Sequence, residues 1–136
     1  MTAAAVNTAV GTKLPELSIY GDPTFIVSTA IATRDYQDVH HDRDKAQAKG
    51  SNDIFVNILT DTGLVGRYVT DWAGPKAIVK SIKLRLGVPW YAYDTITFRG
   101  EVTAVEGDLV TLKVVGTNSL GDHVIATSTL TMGAAQ

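Results

Sequence analysis

Asp35 and His40 stand five positions apart in the segment ATRDYQDVHHD, Ala32–Asp42. Two of the three histidines of the chain, His40 and His41, lie side by side there, with Arg34, Asp38 and Asp42 around them. An aspartate and a histidine that converge from one loop can hold a water molecule between them. The carboxylate takes a proton from water, and the imidazole, with an ordinary pKa of about 6.5, orients the water or returns a proton. Two plainer readings compete with this one. Asp-rich segments also serve as helix caps and solvated turns. His40, His41 and Asp42 also carry metal-ligand atoms, but adjacent residues seldom hold one ion together and no distant His/Glu pair supports them, so no metal is expected. His123, which opens a strand after a turn, reads as a surface histidine.

The chain that must position this pair has 136 residues, enough for one domain with a real core. Its apolar fraction of 45% is that of a globular protein, and a net charge of −2 provides no basic stripe for nucleic acid. The absence of cysteine excludes disulfides, thiolate nucleophiles and thiolate metal sites. MTAAAVNTAVGTK has no basic region followed by an apolar run, and no stretch approaches the roughly 20 apolar residues of a membrane span. The expectation is a cytoplasmic protein without a membrane or nucleic-acid partner. Residues 1–13, small and polar, read as a flexible N-terminal tail before a domain over 14–136.

Asp22-Pro23 starts a short helix, although the β-branched run TFIVSTAIAT also suits a strand. A longer helix is predicted over about Asp53–Trp72, where Ile54, Ile58, Val65, Tyr68, Val69 and Trp72 recur at helical spacing. Ser51 and Asn52 offer caps, and Gly74-Pro75 ends it. Gly63 and Gly66 inside it cost about 1 kcal/mol each relative to alanine, which suggests close approach to another element. Beyond Pro75 the period becomes two. SIKLRL, TITFRGEVTA, LVTLKVVGT and HVIATSTLTM read as strands separated by turns at Glu106–Asp108 and Asn118–Asp122. A long helix followed by four or more antiparallel strands is an α+β layout. Its economical packing is a single hot-dog domain, with the sheet curled around the helix. Exposed sheet edges then predict at least a dimer.

With those elements in place, TRDYQDVHHDRDKA resembles the hydratase motif of the MaoC-like, R-specific enoyl-CoA hydratases. The motif's Asp and His fall on Asp35 and His40, and its trailing Asp and Ala on Asp42 and Ala46. DIFVNILTDTGLV resembles the family's central-helix entry, LRLGVPWYAYDTITFRGEVTAV its segment leading into a strand, and Asn118–Asp122 its penultimate turn. The likeness spans about Leu14–Met132. It is closest to the small-subunit branch of the actinobacterial heteromeric steroid side-chain enoyl-CoA hydratases. The sequence departs from the family pattern at Arg34, where the family has Gly, at Gln37-Asp38 in place of Asn-Pro, and at Val56-Asn57 in place of His-Gly.

The resemblance implies hydration of an α,β-unsaturated acyl-CoA by water activated between Asp35 and His40. The thioester oxygen would be held by the backbone N–H of Asn57 near a helix N-terminus. It also implies a larger MaoC-like partner subunit in a heterodimer or heterotetramer, and no cofactor beyond the CoA thioester substrate. Val56, Leu59, Trp90, Tyr91 and Tyr93 are candidate acyl-pocket residues, against a plain role in core or interface packing. Lys76, Lys80, Lys83 and Arg85 suit CoA phosphates or simple solubility. Two other readings stay open. One is a non-catalytic hot-dog partner subunit. The other is a hot-dog thioesterase using Asp53 or Asp61 on the central helix.

Overall fold

The computed structural model describes residues 6–133. The elements run β1 (Leu17–Gly21), α1 (Pro23–Ala32), a 3-10 turn (Asp38–His40), α2 (Arg43–Ala48), α3 (Ile58–Ala73), β2 (Ile78–Leu86), β3 (Asp94–Glu106), β4 (Leu109–Asn118) and β5 (Gly121–Thr131). The strands form one sheet in the order β1-β3-β4-β5-β2, and every neighbouring pair is antiparallel. The fold is α+β and hot-dog, as the periodicity predicts.

The alternation in β3, β4 and β5 sets the inner face. Ile96, Phe98 and Val102, Val110, Leu112 and Val114, and Val124, Ala126 and Leu130 are all buried. Val65, Tyr68 and Val69 on one side of α3 join the same core. Each such side chain contributes about 1.5–3 kcal/mol on leaving water. Tyr68 packs against Phe98 with ring centroids 5.9 Å apart. Gly100 makes room for that packing, since a Cβ there would stand 2.9 Å from the Tyr68 ring. β1 is not among the predicted strands because LSIYG is too short to display a period; it pairs with β3 from Leu17↔Phe98 to Gly21↔Asp94. β2 is an edge strand with β5 as its neighbour, so Ile82 and Leu84 are half-buried and Leu86 is exposed.

One expectation about the helices is borne out and two change. The strand–helix competition after Asp22 resolves to helix: Asp22 caps α1 by accepting the Phe25 N–H at 2.7 Å, and Pro23 takes the first helical position. α3 begins at Ile58 rather than Asp53, so Ser51 and Asn52 do not cap it. The preceding residues are extended because a crossing segment claims their backbone. The Val56 N–H donates to Trp90 O at 3.0 Å, the Ala92 N–H donates to Ile54 O at 3.1 Å, and Phe55 bridges Tyr91. Gly63 and Gly66 meet no close neighbour within the chain. A Cβ at Gly63 would find nothing within 4 Å, and one at Gly66 would sit 3.6 Å from Ile82.

The predicted flexible tail, 1–13, lies partly outside the described residues. Of the rest, Gly11 donates its backbone N–H to Val102 O at 2.8 Å, Thr12 O accepts the Val102 N–H at 2.9 Å, and Lys13 bridges Glu101, so this stretch is tied to β3.

His123 is not a surface residue. It is 1% exposed and pairs with Asp61 of α3, which is 0% exposed. Its Nδ1–H donates to the Val88 carbonyl at 2.6 Å, so Nε2 faces Asp61 Oδ2 at 2.8 Å. Asp61 Oδ1 has no hydrogen-bond partner. Burial raises the Asp61 carboxyl above its ordinary range, with the His123 bond working against it. Burial alone would lower His123, but the Asp61 bond and charge and the Val88 carbonyl outweigh it and raise the imidazole. With Nδ1 committed as a donor, one proton lies between Asp61 and His123 whichever partner carries it. The native state therefore keeps that proton to higher pH than the unfolded chain does. The stabilisation is complete below about pH 6.5 and is lost as pH rises through the raised native value. Thermal melts over about pH 6–9 should show Tm falling toward the alkaline side. In Asp61→Asn, whose amide can donate to a neutral imidazole, that fall should flatten; an unchanged slope would locate its cause elsewhere.

Candidate functional site

The site begins with how α1 ends. The Arg34 N–H donates to Ile31 O at 3.0 Å, and the Asp35 N–H donates to Ala30 O at 2.9 Å. This pair of bonds is the Schellman closure, which places the residue after the cap in left-handed backbone and turns the next one away from the helix axis. Arg34 occupies that left-handed position with φ 58°. The family pattern has glycine there, and the backbone gives the reason: a Cβ at positive φ costs about 1 kcal/mol. Asp35 is the residue turned out. Its Oδ1 accepts the Gln37 N–H at 3.3 Å, which shapes the chain toward the 3-10 turn.

That turn delivers His40, whose residue is 6% exposed. The ring is fixed from both sides. Nδ1 lies 2.7 Å from the Phe55 carbonyl, so it must carry the proton, and the Phe55 ring meets the imidazole edge-on at 4.8 Å. Nε2 is thereby aimed at Asp35 Oδ2, 3.4 Å away. The Asp35 side chain keeps 20% of its surface open, so water can reach the pair. A carboxylate and an imidazole nitrogen that share a solvent-accessible point can take a proton from water and return one to a substrate.

The other titratable groups of the segment have structural tasks. Asp38 pairs with Lys49 at 2.6 Å, and this bond holds its carboxyl below the usual carboxylate range. Asp42 caps α2 by accepting the Lys45 N–H at 3.1 Å, and Ala46 is fully buried. His41 is exposed. Among the described residues, no three His, Asp or Glu side chains converge in a way that could hold a metal ion.

Asn57 meets the pair through its side chain. Its amide Nδ2 donates to Asp35 Oδ2 at 3.2 Å and to Thr33 Oγ1 at 2.9 Å, while Oδ1 accepts from the Thr60 hydroxyl. From the sequence only the Asn57 backbone is legible as a donor; the parts played by Thr33, Phe55 and Thr60 are not. An asparagine directly before an apolar helical run was the one local signal for this network.

The remaining candidates scatter. Val56 and Trp90 belong to the closed core, at 1% and 0% exposure. The Trp90 indole N–H donates to Asp94 O at 3.0 Å, and its ring packs so tightly on Gly21 that a Cβ there would lie 2.8 Å from Nε1. Leu59 and Tyr93 are exposed, Tyr93 in left-handed backbone with φ 72°. Tyr91 is half-buried, edge-on to Phe55 at 6.4 Å, one ring removed from His40. Lys76, Lys80, Lys83 and Arg85 are all exposed, the last three on β2. Clefts of about 210 Å³ (Pro15 to Trp72) and 320 Å³ (over β3 and β4) touch neither Asp35 nor His40. Asp61 is sealed against His123, and Asp53 lies before α3, where its Oδ1 accepts the Ile54 N–H at 2.7 Å. Neither presents a carboxylate to a thioester, so the thioesterase reading loses its nucleophile or base.

A curled antiparallel sheet on a central helix, with an Asp/His pair at the helix's N-terminal end, defines a hot-dog protein. The (R)-hydratase of A. caviae involved in PHA biosynthesis has the same fold: 20% identical, with a TM-score of 0.83, covering 90% of this chain and 96% of that one. No family profile matches the chain. Over 125 residues it is 78% identical to the 3-oxo-4,17-pregnadiene-20-carboxyl-CoA hydratase beta subunit of Mycobacterium tuberculosis, covering 92% of this chain and 97% of that protein. It is also similar to a chain of the ChsH1-ChsH2 complex from M. tuberculosis, 77% identical with a TM-score of 0.91, covering 93% of this chain and 99% of that one. The chain belongs to the MaoC-like hydratase family, in the branch of that beta subunit.

The left-handed Arg34 carries a direct consequence for stability. Arg34→Gly should stabilise the fold by about 1 kcal/mol in denaturant titration, because the strain at φ 58° disappears while the helix closure stays. A destabilised variant would show that the arginine side chain makes a compensating contact.

Proposed function

We propose that this chain is the small, catalytic subunit of a heteromeric hydratase that adds water across the α,β-double bond of a steroid side-chain enoyl-CoA. One observation carries the reading: Asp35 Oδ2 lies 3.4 Å from a His40 Nε2 whose tautomer is fixed by the Phe55 carbonyl. Asp35 and His40 hold one water. Its oxygen bonds to Cβ as a proton leaves it, and the same pair delivers a proton to Cα. The C–S bond of the thioester stays intact, and no cofactor is consumed. As charge gathers on the thioester oxygen, the backbone N–H of Asn57 and the free first-turn N–H groups of α3 stabilise it. Asn57 takes this role without a glycine, since the donor belongs to the backbone.

The acyl wall comes from a second chain. Val56 and Trp90 are closed into the core, the two clefts lie away from Asp35, and Tyr36, Ile58, Leu59 and Tyr93 are exposed. A larger MaoC-like partner that covers this face would supply the space a steroid needs, with Leu59, Tyr91 and Tyr93 on the shared wall. The named complex of the M. tuberculosis relative supports such an assembly. The absence of any helix long and apolar enough to cross a membrane among the described residues is compatible with action in the cytoplasm on a soluble CoA ester.

Loss of the enoyl-CoA chromophore, followed with the chain purified in complex with its large subunit, tests the reading. Asp35→Asn and His40→Ala should each lower kcat by about 10²–10⁴-fold with the fold intact. Product analysis should find hydroxyacyl-CoA and no free CoA. Wild-type rates in either variant would move the chemistry to the partner subunit.

A further inference from the structure

Asn57 is the N-cap residue of α3, and asparagine is among the strongest N-cap residues, its side-chain oxygen normally accepting a first-turn N–H. Here its side chain makes no capping bond. The residue is 2% exposed, so its amide must find partners inside the protein. Chemistry fixes which way the amide faces. The Thr33 hydroxyl donates to the carbonyls of Thr29 at 2.8 Å and Ala30 at 3.1 Å, so its oxygen is left to accept. The Asp35 carboxylate is likewise an acceptor. The amide nitrogen therefore points at Thr33 and Asp35, and the oxygen takes the Thr60 hydroxyl proton.

We propose that the Asn57 side chain is a positioning residue, which holds the Asp35 carboxylate against His40 and gives up the capping of α3 to do so. It grips Oδ2, the oxygen that faces His40 Nε2, while the Gln37 N–H holds Oδ1. Each carboxylate oxygen thus has its own donor. The amide is itself braced by α1 through Thr33 and by α3 through Thr60, so the two helices together set where Asp35 stands. The diverted side chain also leaves the first-turn N–H groups of α3 without a capping acceptor, which is the condition an oxyanion donor needs. A glycine at this position retains the backbone donor and has no such grip.

This inference rests on the hydratase reading, and the experiment separates the two. Initial rates of enoyl-CoA hydration are measured for the complex with its large subunit, for wild type, Asp35→Asn, Asn57→Ala and Asn57→Asp, with a thermal melt of each. Asn57→Ala should lose about 10–100-fold in kcat with KM changed by less than about threefold, the signature of misplaced machinery rather than lost binding. Asn57→Asp keeps the shape and the Thr60 bond but sets a second carboxylate against Asp35. The acid limb of its pH–rate profile should move to higher pH, because like charges at this range favour protonation. A purely structural Asn57 would lower Tm and leave both readouts where they were. Asn57→Ala with wild-type kcat beside an inactive Asp35→Asn overturns the positioning role alone. A fully active Asp35→Asn overturns the hydratase site, and this inference with it.

Discussion

Burial of α3 against the inner face of the sheet is the constraint on which everything else depends. Val65, Tyr68 and Val69 must leave water, and the partners available to them are the inward side chains of β3, β4 and β5. Antiparallel pairing fixes those strands in register, because a slip of one residue would send every inward side chain to the solvent face. With the helix so placed, its N-terminus arrives where the 54–56 segment crosses residues 90–92, and its first turn is locked to β5 through Asp61 and His123. The site is built on this fixed end. Phe55 sends its carbonyl to His40, and Asn57 sends its amide to Asp35.

The second half of the site comes from α1, which the sheet positions less directly. Its Schellman closure turns Asp35 out of the helix, and Thr33 ties the last turn of α1 to Asn57. The Asp35/His40 geometry is therefore a meeting of one helix C-terminus with one helix N-terminus. Strain at Arg34 lies beside Asp35, and the start of α3 without a side-chain cap lies at Asn57, whose amide holds Asp35.

The same geometry sorts the competing readings. A thioesterase needs a free carboxylate on the central helix; Asp61 is held by His123 in the core, and Asp53 lies outside the helix. A metal site needs converging ligands; His41 turns to solvent and Asp42 caps α2. The fixed histidine tautomer and the bonds to both oxygens of the neighbouring carboxylate support the proposed acid/base role over a scaffold role. Buried donors aimed at one solvent-open pair are the mark of a preorganised acid/base site.

The sequence by itself determined the fold class, four of the five strands, the start of α1 and the identity of the Asp35/His40 pair. These are local properties: a period of two or 3.6, an Asp-Pro cap, and two residue types at a set spacing. The N-terminal limit of α3 was not legible, because Ile54 and Val56 suit a helix or a strand equally well. The crossing segment at Trp90–Ala92 decided the matter by taking their backbone bonds. His123 read as a surface residue because its partner Asp61 is distant in sequence, and burial of a paired polar group is a fact about two elements at once. Val56 and Trp90 read as pocket residues because apolar side chains that line a cavity and those that fill a core are chemically alike. The Asn57 side chain was overlooked for the same physical reason. Whether an asparagine before a helix caps that helix or grips a carboxylate depends on which acceptors the folded chain brings within about 3 Å, and only tertiary structure brings them there.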